Sequence, residues 1–408
     1  MAEETAIRRI KGSVISRVTT EPALVRDFAA TGREEIDARA RLEYMGSWAA
    51  ARLSIGYQGE PGGDDRKIAL DDSYLVLEAA NFLLYAGYID HWWGPGWISS
   101  LILSNNARPF PRVGFMRNNP KAFETPWLSW IGPWQIHGFV GVLEEDGREV
   151  SNPIVLGLRL AVNPLRGLEL GASRAIMLCG NAPVGVEERP CGPETFINAF
   201  LGRDNAGTFS DPGNQLAGFD ARFSSSLGGQ HFTLYGQYIG EDEASGLPSK
   251  EAGLFGLSLW GGVGDDGALW RLTTEYSDST AGFFKHDPDF NVFYDHFIYK
   301  TGYRYRGRSI GHSLDNDSRL FSVVGTLTDL HDWTYRLAYH RAEVNRDGDG
   351  AQPVSTSAEN INLIEAGLSV PWGSGTFEAG LRFQDDQPNT PGAKDLQAAV
   401  EVGVTFRF

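Results

Sequence analysis

Residues 152–178 read NPIVLGLRLAVNPLRGLELGASRAIML, and apolar side chains recur in this stretch at every second position. They stand at Ile154, Leu156, Leu158, Leu160 and Val162 and, after a turn, at Leu168, Leu170 and Ala172. Successive side chains of a β-strand point to opposite faces, so this period of two gives each strand one apolar face. The turn at 163–167 contains Asn, Pro and Gly, which favour a tight reversal of the chain. The stretch therefore predicts a β-hairpin.

Four later segments repeat this pattern, and their strand length separates two classes of all-β protein. The hairpins cover residues 218–240, 253–277, 319–344 and 361–384. Their strands have about nine to eleven residues, which suits a tilted crossing of a bilayer, whereas strands of soluble sandwiches have about five to six. The second face carries small or polar residues such as Gly157, Arg159 and Gln237. This favours a transmembrane barrel with a watery or plugged lumen over a large soluble barrel.

The connections between the predicted strands alternate in length. Short turns alternate with long segments at about 104–133, 178–215, 240–250, 278–318, 343–360 and 385–397. Outer-membrane barrels have short periplasmic turns and long extracellular loops. The last strand, LQAAVEVGVTFRF, ends on Phe408, as such barrels often do. We predict an all-β fold, a transmembrane antiparallel β-barrel of sixteen to eighteen strands over residues 41–408, with long extracellular loops.

The N-terminal part of the sequence has the signals of a helix rather than the period of two found in the predicted strands. In TTEPALVRDFAATG (19–32), Thr20 is a candidate N-cap, Pro22 falls in the first turn and Gly32 is a stop signal. We predict one short helix here, in an N-terminal periplasmic segment of residues 1–40. The stretch MAEETAIRRIKG lacks the apolar centre of a secretory signal. Since the rest of the chain favours the bacterial outer membrane, we expect that a signal peptide was removed.

Charge and motifs argue against two classes of function. The formal net charge is −16, whereas a protein that binds nucleic acid needs a basic surface. No nucleophile motif or phosphate-binding glycine loop is present, and nothing in the sequence positively supports an enzyme. FKHDPDFNVFYDHF (284–297) and NRDGDG (345–350) are rich in His and Asp but lack the spacing of metal ligands. We predict loops there, with no catalytic residues, metal or cofactor.

Cys179 and Cys191 are the two cysteines, and they stand in a Pro- and Gly-rich polar segment. No histidine lies near them, so a disulfide that closes a loop is favoured over a metal site. Two free thiols are the alternative. A disulfide would place this segment in an oxidising compartment.

Several loop segments combine aromatic with amide, guanidinium or carboxylate groups, as a sugar-binding site requires. Sugars present apolar C–H faces, which stack on aromatic rings, and hydroxyls, which bind planar polar groups. The predicted polysaccharide-binding residues are Trp92, Trp93, Asn105, Asn106 and Arg108, followed by Asp204, Asn205, Asn214 and Gln215. For Trp127, Trp130 and Trp134, an aromatic belt at the membrane interface is an equally good interpretation.

One run is specific enough to indicate a family. WWGPG followed by SLILSNNARPFP, and preceded by a predicted strand, YLVLEAANFLLYAGYID (74–90), resembles the signature region of the Wzi family of outer-membrane capsule-assembly proteins. LCG…CG, GRDNAG and PGNQLAGFD resemble that family in order and spacing. The resemblance implies an 18-stranded barrel, a helical element at its periplasmic end and a lumen closed by loops. It also implies a lectin-like protein without enzymatic activity that holds capsular polysaccharide on the cell surface.

Three functions follow from these observations. The first is an outer-membrane lectin-like protein that binds capsular or extracellular polysaccharide and anchors or assembles it at the surface. A barrel conduit for polysaccharide export is the alternative, and a structural partner of other envelope proteins is the third. The expected partners are the polysaccharide, outer-membrane lipid and the polysaccharide export machinery. We expect a monomer that binds no nucleic acid.

Overall fold

The computed structural model describes residues 10–29, 32–59, 66–182, 190–201, 213–244, 247–264, 267–390 and 397–408. In chain order, the strands are β1 (Ile10–Thr19), β2 (Ile36–Met45), β3 (Ala49–Gly59), β4 (Ile68–Ala69), β5 (Tyr74–Ala79), β6 (Phe82–Gly87), β7 (Arg112–Arg117), β8 (Trp134–Val142), β9 (Ile154–Leu165), β10 (Leu168–Leu178), β11 (Gly213–Leu227), β12 (Gln230–Ala244), β13 (Leu247–Val263), β14 (Ala268–Asp278), β15 (Arg304–Tyr305), β16 (Arg308–Ser309), β17 (Arg319–Thr328), β18 (Thr334–Val344), β19 (Glu359–Trp372), β20 (Gly375–Gln384) and β21 (Ala398–Arg407). The helices in these ranges are α1 (Pro193–Leu201) and a 3₁₀ turn at Ser129–Ile131. No helix in the described ranges is long and apolar enough to cross a membrane.

Eighteen of the described strands form one closed antiparallel barrel, which confirms the predicted fold. The barrel closes where β21 pairs with β1, with Phe406 opposite Val14. Phe408 and Gly12 exchange backbone hydrogen bonds of 2.8 and 2.9 Å beside this seam. The short β4 adds to β3, while β15 and β16 form a separate hairpin. Closure satisfies the backbone groups that an open sheet edge would leave unpaired.

The barrel has two different ends. At one, which we call the short-turn end, tight turns join the strands, and the last strand finishes there at Arg407. The other, the long-loop end, carries the longer connections that follow β6, β10 and β14. Along the strands, apolar residues such as Leu160 and Phe255 are exposed on the outside, and polar residues such as Gln237 and Ser258 are buried on the lumen side. This alternation places an apolar outer face toward lipid and a polar face toward the lumen.

The N-terminal part differs from the sequence-based prediction. No helix forms between Thr20 and Ala29, and β1 and β2 pair with each other as barrel strands. The connection between them enters the lumen, where Val25 and Arg26 are buried and the Phe28 N–H donates to the carbonyl of Trp97. Its apolar residues therefore pack on other lumen residues rather than along one helix face. The predicted helix is wrong, and in the described part of the chain barrel strands are present from Ile10 onward rather than only from residue 41.

Two further boundaries differ between prediction and structure. The apparent single strand at 74–90 is the hairpin of β5 and β6, whose turn places Ala80 and Asn81 at φ 49° and 68°. The predicted long loop at 104–133 contains β7. Residues 104–133 therefore span parts of two connections, 88–111 at the long-loop end and 118–133 at the short-turn end.

Two further connections at the long-loop end fold back into the lumen. Residues 88–111, which we call the plug segment, pack against residues 279–318 that follow β14. The Tyr294 hydroxyl donates to the Leu101 carbonyl at 2.6 Å, and the Tyr303 hydroxyl donates to the Ile102 carbonyl at 3.0 Å. All four side chains are almost completely buried. A packed core therefore occupies part of the lumen.

Candidate functional site

Two polar side chains of the barrel wall hold the plug segment. The Glu275 carboxylate on β14 accepts hydrogen bonds from the N–H groups of Trp97 at 2.8 Å, Ile98 at 3.2 Å and Ser99 at 2.6 Å. The Tyr235 hydroxyl donates to the same carboxylate at 2.8 Å. A carboxylate that accepts several N–H groups forms charge-assisted bonds, which are stronger than neutral ones.

Gln237 on β12 adds a second anchor. Its amide nitrogen donates to the Trp93 carbonyl at 2.8 Å, and its amide oxygen accepts from the Leu101 N–H at 2.9 Å. Gly94 lies against this side chain with φ 140°, and a Cβ there would stand 2.6 Å from Gln237 Nε2. Only glycine fits this backbone conformation and this close approach. Gly94 of the WWGPG run thus allows the plug segment to pack closely against Gln237 of the barrel wall.

The structure brings five of the predicted site residues together in the plug segment, where each contacts other parts of the chain. Trp93 is 3% exposed, and its indole N–H donates to His137 Nδ1 at 3.1 Å. Trp92 is partly buried and donates to the Gly96 carbonyl at 2.9 Å.

The amides and the guanidinium of this group also have partners within the chain. Asn105 donates to the Asp27 carbonyl at 3.1 Å, and Asn106 donates to the Ser309 carbonyl at 3.0 Å. Arg108 forms an ion pair of 3.2 Å with Asp71. These contacts join the plug segment to its neighbours in the lumen.

The second predicted group does not form one cluster with the first. Asp204 and Asn205 lie outside the described residues. Asn214 and Gln215 are neighbours on β11, so their side chains point to opposite faces of the wall. Asn214 pairs with Met177 on the buried lumen side, whereas Gln215 lies beside Arg174 on the outer side.

A disulfide joins Cys179 and Cys191, the pair for which the sequence predicts one. Cys179 directly follows β10, and Cys191 stands two residues before the start of α1. The bridge therefore ties α1 to the long-loop end of the barrel wall.

The other predicted aromatic residues stand at the opposite end. Trp127 and Trp130 follow β7 at the short-turn end, where they are 72% and 69% exposed. Trp134 begins β8, stacks on Phe123 with 4.9 Å between ring centroids, and lies under the Arg117 guanidinium at 3.8 Å. An indole at the rim of a barrel suits the aromatic belt at a membrane interface.

Sequence reasoning missed an exposed surface at the long-loop end. In residues 284–297, Phe284 is 74% exposed and Phe297 is 60% exposed. Between them, Lys285 and Asp289 form an ion pair of 2.8 Å, and Asn291 donates to Asp347 at 2.6 Å. We call Phe284, Lys285, Asp289, Asn291 and Phe297 the outer aromatic surface. The mixture of Phe, Asp, His and Asn in this loop was the signal that could have found it.

A buried acidic group lies close to this surface. Asp317 accepts hydrogen bonds from the Asn291 N–H at 2.9 Å and from the Asn316 amide at 2.9 Å. Burial raises the pKa of Asp317 to about 7, and the nearby carboxylates of Asp347 and Asp295 act in the same direction. Within the described part of the chain, no three His, Cys, Asp or Glu side chains are arranged to hold a metal ion. The acidic residues here act through hydrogen bonds and charge.

Comparison with known proteins identifies related chains. A family model described as capsule assembly protein Wzi matches residues 6–388. An uncharacterised 55.8 kDa protein in the cps region of Klebsiella pneumoniae is 31% identical over 383 residues, which cover 87% of this chain and 72% of that protein.

Solved structures agree with this similarity. Wzi of Escherichia coli, described as a carbohydrate-binding β-barrel of the outer membrane involved in group 1 capsule assembly, superposes with a TM-score of 0.86. It is 25% identical, and the match covers 98% of this chain and 85% of that one. OccAB3 of Acinetobacter baumannii has a TM-score of 0.53 at 11% identity, with 98% of each chain covered, and shares the barrel fold alone.

Proposed function

Because the chain belongs to the Wzi family of capsule assembly proteins, we propose that it binds capsular or extracellular polysaccharide and holds it on the cell surface. The carbohydrate binding of the E. coli relative supports this proposal. In an outer membrane, the long-loop end faces outward and the short-turn end faces the periplasm. The protein has a binding role in this proposal and carries out no catalytic step.

The packed lumen is the observation that carries the proposal. Glu275 and Gln237 hold the plug segment from two strands, and Tyr294 and Tyr303 hold it from residues 279–318. A polymer that approaches from outside therefore meets this packed core in part of the lumen. This favours retention of polysaccharide on the outer face over its passage through the barrel.

We assign the sugar contacts to the outer aromatic surface. Phe284 and Phe297 offer exposed rings for the apolar faces of sugar rings. Asp289, Lys285 and Asn291 offer acceptors and donors for hydroxyl groups. Sugar contact by residues 92, 93, 105, 106 and 108 stays a prediction. The bonds of residues 93, 105, 106 and 108 to the barrel wall and to neighbouring lumen segments support a role in positioning the plug segment.

Export of polysaccharide is the second candidate function, and one cavity favours it. Near the connection 20–29, a lumen cavity of about 300 Å³ is lined by residues that include Asp27, Arg336, Glu365 and Glu401. Passage of a polymer through the barrel would require the plug segment to move. A structural partner of other envelope proteins, such as the export machinery, is the third candidate.

Binding and conductance measured on the purified protein test these functions. The proposal predicts saturable binding of capsular polysaccharide by the wild-type protein and low conductance in a planar bilayer. A large, steady conductance that the polysaccharide blocks would instead establish a conduit. If the protein bound no polysaccharide of the source strain, the binding role would be wrong and the structural role would be the remaining candidate.

A further inference from the structure

A groove runs across the outer wall of the barrel on strands β6 to β10. Its lining includes Leu84, Val113, Phe115, Val140, Leu156 and Leu158. In the strand alternation, these side chains lie on the side opposite to the buried lumen residues Tyr85, Phe139 and Val155. The groove therefore opens toward the membrane and is almost entirely apolar.

A glycine lets an aromatic ring lie against the wall at the groove. Gly138 on β8 lies between Phe115 of β7 and Leu158 of β9 on the same outward face. A Cβ at this position would stand 2.7 Å from Phe115 Cε1 and 3.4 Å from Leu158 Cδ1. The Phe115 ring therefore occupies the space that a side chain at position 138 would need, and it lies directly on the β8 backbone, where it forms part of the groove's lining.

The groove lies in the half of the wall near the long-loop end. Val113 is the second residue of β7, and Leu156 is the third residue of β9. Val140 and Ile176 each stand two residues before the ends of their strands, β8 and β10. All four of these positions belong to the long-loop end of their strands. In an outer membrane this is the level of the outer leaflet.

Helix α1 lies against the same wall, directly beside the groove. Ala199 is completely buried in a cluster with Ile176 and Leu178, and Phe196 and Leu156 pack against this cluster. Ile197, by contrast, is 55% exposed. The helix therefore covers part of the lipid-facing surface and leaves an apolar side chain uncovered.

Helix α1 provides a hydrogen-bond partner for Arg174, a charged residue on the outer wall. Arg174 faces outward from β10, where a charged side chain at mid-membrane depth costs about 2–4 kcal/mol. Its guanidinium donates to the Ala199 carbonyl of α1 at 3.0 Å and also to the Gln215 amide oxygen. Because α1 supplies this carbonyl near its C-terminus, it satisfies the charge of a side chain that lines the groove.

We propose that the outer-wall groove binds one acyl chain of an outer-leaflet glycolipid of the lipid A type. An apolar recess of about 500 Å³ that opens to the membrane suits a hydrocarbon chain. Its place near the long-loop end selects a lipid of the outer leaflet. The inference depends on the proposed function only through the location in the outer membrane.

Native mass spectrometry with lipid A as the probe tests this proposal. Val140 is 43% exposed in the groove, and Val402 is 42% exposed on β21, away from it. We expect the wild-type protein and Val402→Trp to retain one lipid A in mild detergent. Val140→Trp fills the recess and should lower that occupancy at least tenfold. The heat-modifiable band shift of each variant shows whether the barrel is folded, and Val113→Trp replaces Val140→Trp if the latter does not fold.

Three results would overturn the proposal. The first is that the wild-type protein retains no lipid A. The second is that the groove variant and Val402→Trp retain lipid A equally. The third is that the wild-type protein retains phosphatidylethanolamine in preference to lipid A. Polysaccharide binding by the same variants keeps the two proposals distinguishable. A groove variant that loses lipid A but still binds polysaccharide supports the lipid site and leaves the proposed function intact.

Discussion

Glu275 on β14 accepts a hydrogen bond from the backbone N–H of Trp97, with 2.8 Å between Oε2 and the nitrogen. The two residues belong to the barrel wall and to the plug segment, so this bond joins the membrane-spanning part to the part that fills its lumen. The carboxylate also accepts the N–H of Ser99. We therefore regard Glu275 as a main anchor of the plug segment.

Replacing Glu275 with glutamine should loosen the plug segment. Glutamine keeps one acceptor oxygen but turns an N–H group toward the N–H donors of residues 97–99. Hydrogen bonds to charged groups contribute about 1.5–3 kcal/mol each, so we expect a loss of about 3 kcal/mol in the stability of the plug. Planar-bilayer recordings should show more frequent opening than in the wild-type protein.

Glu378→Gln is the matched control for this substitution. Glu378 also lies on the barrel wall but pairs with Arg17 at 2.7 Å. We expect its conductance to stay at the wild-type level. Equal behaviour of the two variants would show that the plug segment does not depend on Glu275.

Asp317 should make the stability of the outer loops depend on pH. Its pKa in the folded protein is about 7, above its ordinary value of 3.8, so the folded state holds the proton more tightly than the unfolded chain does. The contribution of this group to the free energy of unfolding is therefore largest below about pH 4 and falls as pH rises to about 7. Asp317→Asn keeps an acceptor for the Asn291 N–H and removes the titration. Thermal unfolding at pH 5 and pH 8 should differ less in this variant, and an unchanged difference would contradict the assignment.

Removal of the disulfide should release α1 from the outer wall. We expect Cys191→Ser to destabilise this region by about 2–4 kcal/mol, since the cross-link spans a sequence separation of 12 residues. Hydrogen exchange of residues 193–201 should become faster, while the exchange of barrel strands such as β13 stays slow. Reduction of the wild-type protein should have the same effect. Unchanged protection of α1 in both cases would show that its packing on Ile176 and Leu178 is sufficient.

The barrel itself was predictable from sequence because its wall obeys one local rule. In hairpins such as β9 and β10, membrane outside and polar lumen inside impose a period of two on the residues. The segment 19–32 was not predictable in this way. Its helix signals are local, whereas its ends are fixed by the pairing of β1 with β2 in the barrel. Between these ends the segment enters the lumen, and its backbone forms a hydrogen bond to Trp97 instead of a helix.

The site was harder to predict for a similar reason. The WWGPG run combines aromatic, amide and guanidinium groups, which is the composition expected of a sugar site. The same groups satisfy the buried polar contacts of a plug, as Trp93 does with His137 and Asn106 with Ser309. Exposure separates these two uses. The exposure of a loop side chain depends on whether its loop enters the lumen. No local pattern in a single sequence indicates which loops do so.

The affinity of the purified protein for capsular polysaccharide, measured for two pairs of aromatic variants, tests the proposed site most directly. Phe284→Ala with Phe297→Ala removes the exposed rings of the outer aromatic surface. Trp127→Ala with Trp130→Ala removes an equally exposed pair at the short-turn end. We predict a loss of affinity of at least tenfold for the phenylalanine pair and no change for the tryptophan pair. Full affinity in the phenylalanine variant, or a loss confined to the tryptophan variant, would contradict a sugar site on the outer face.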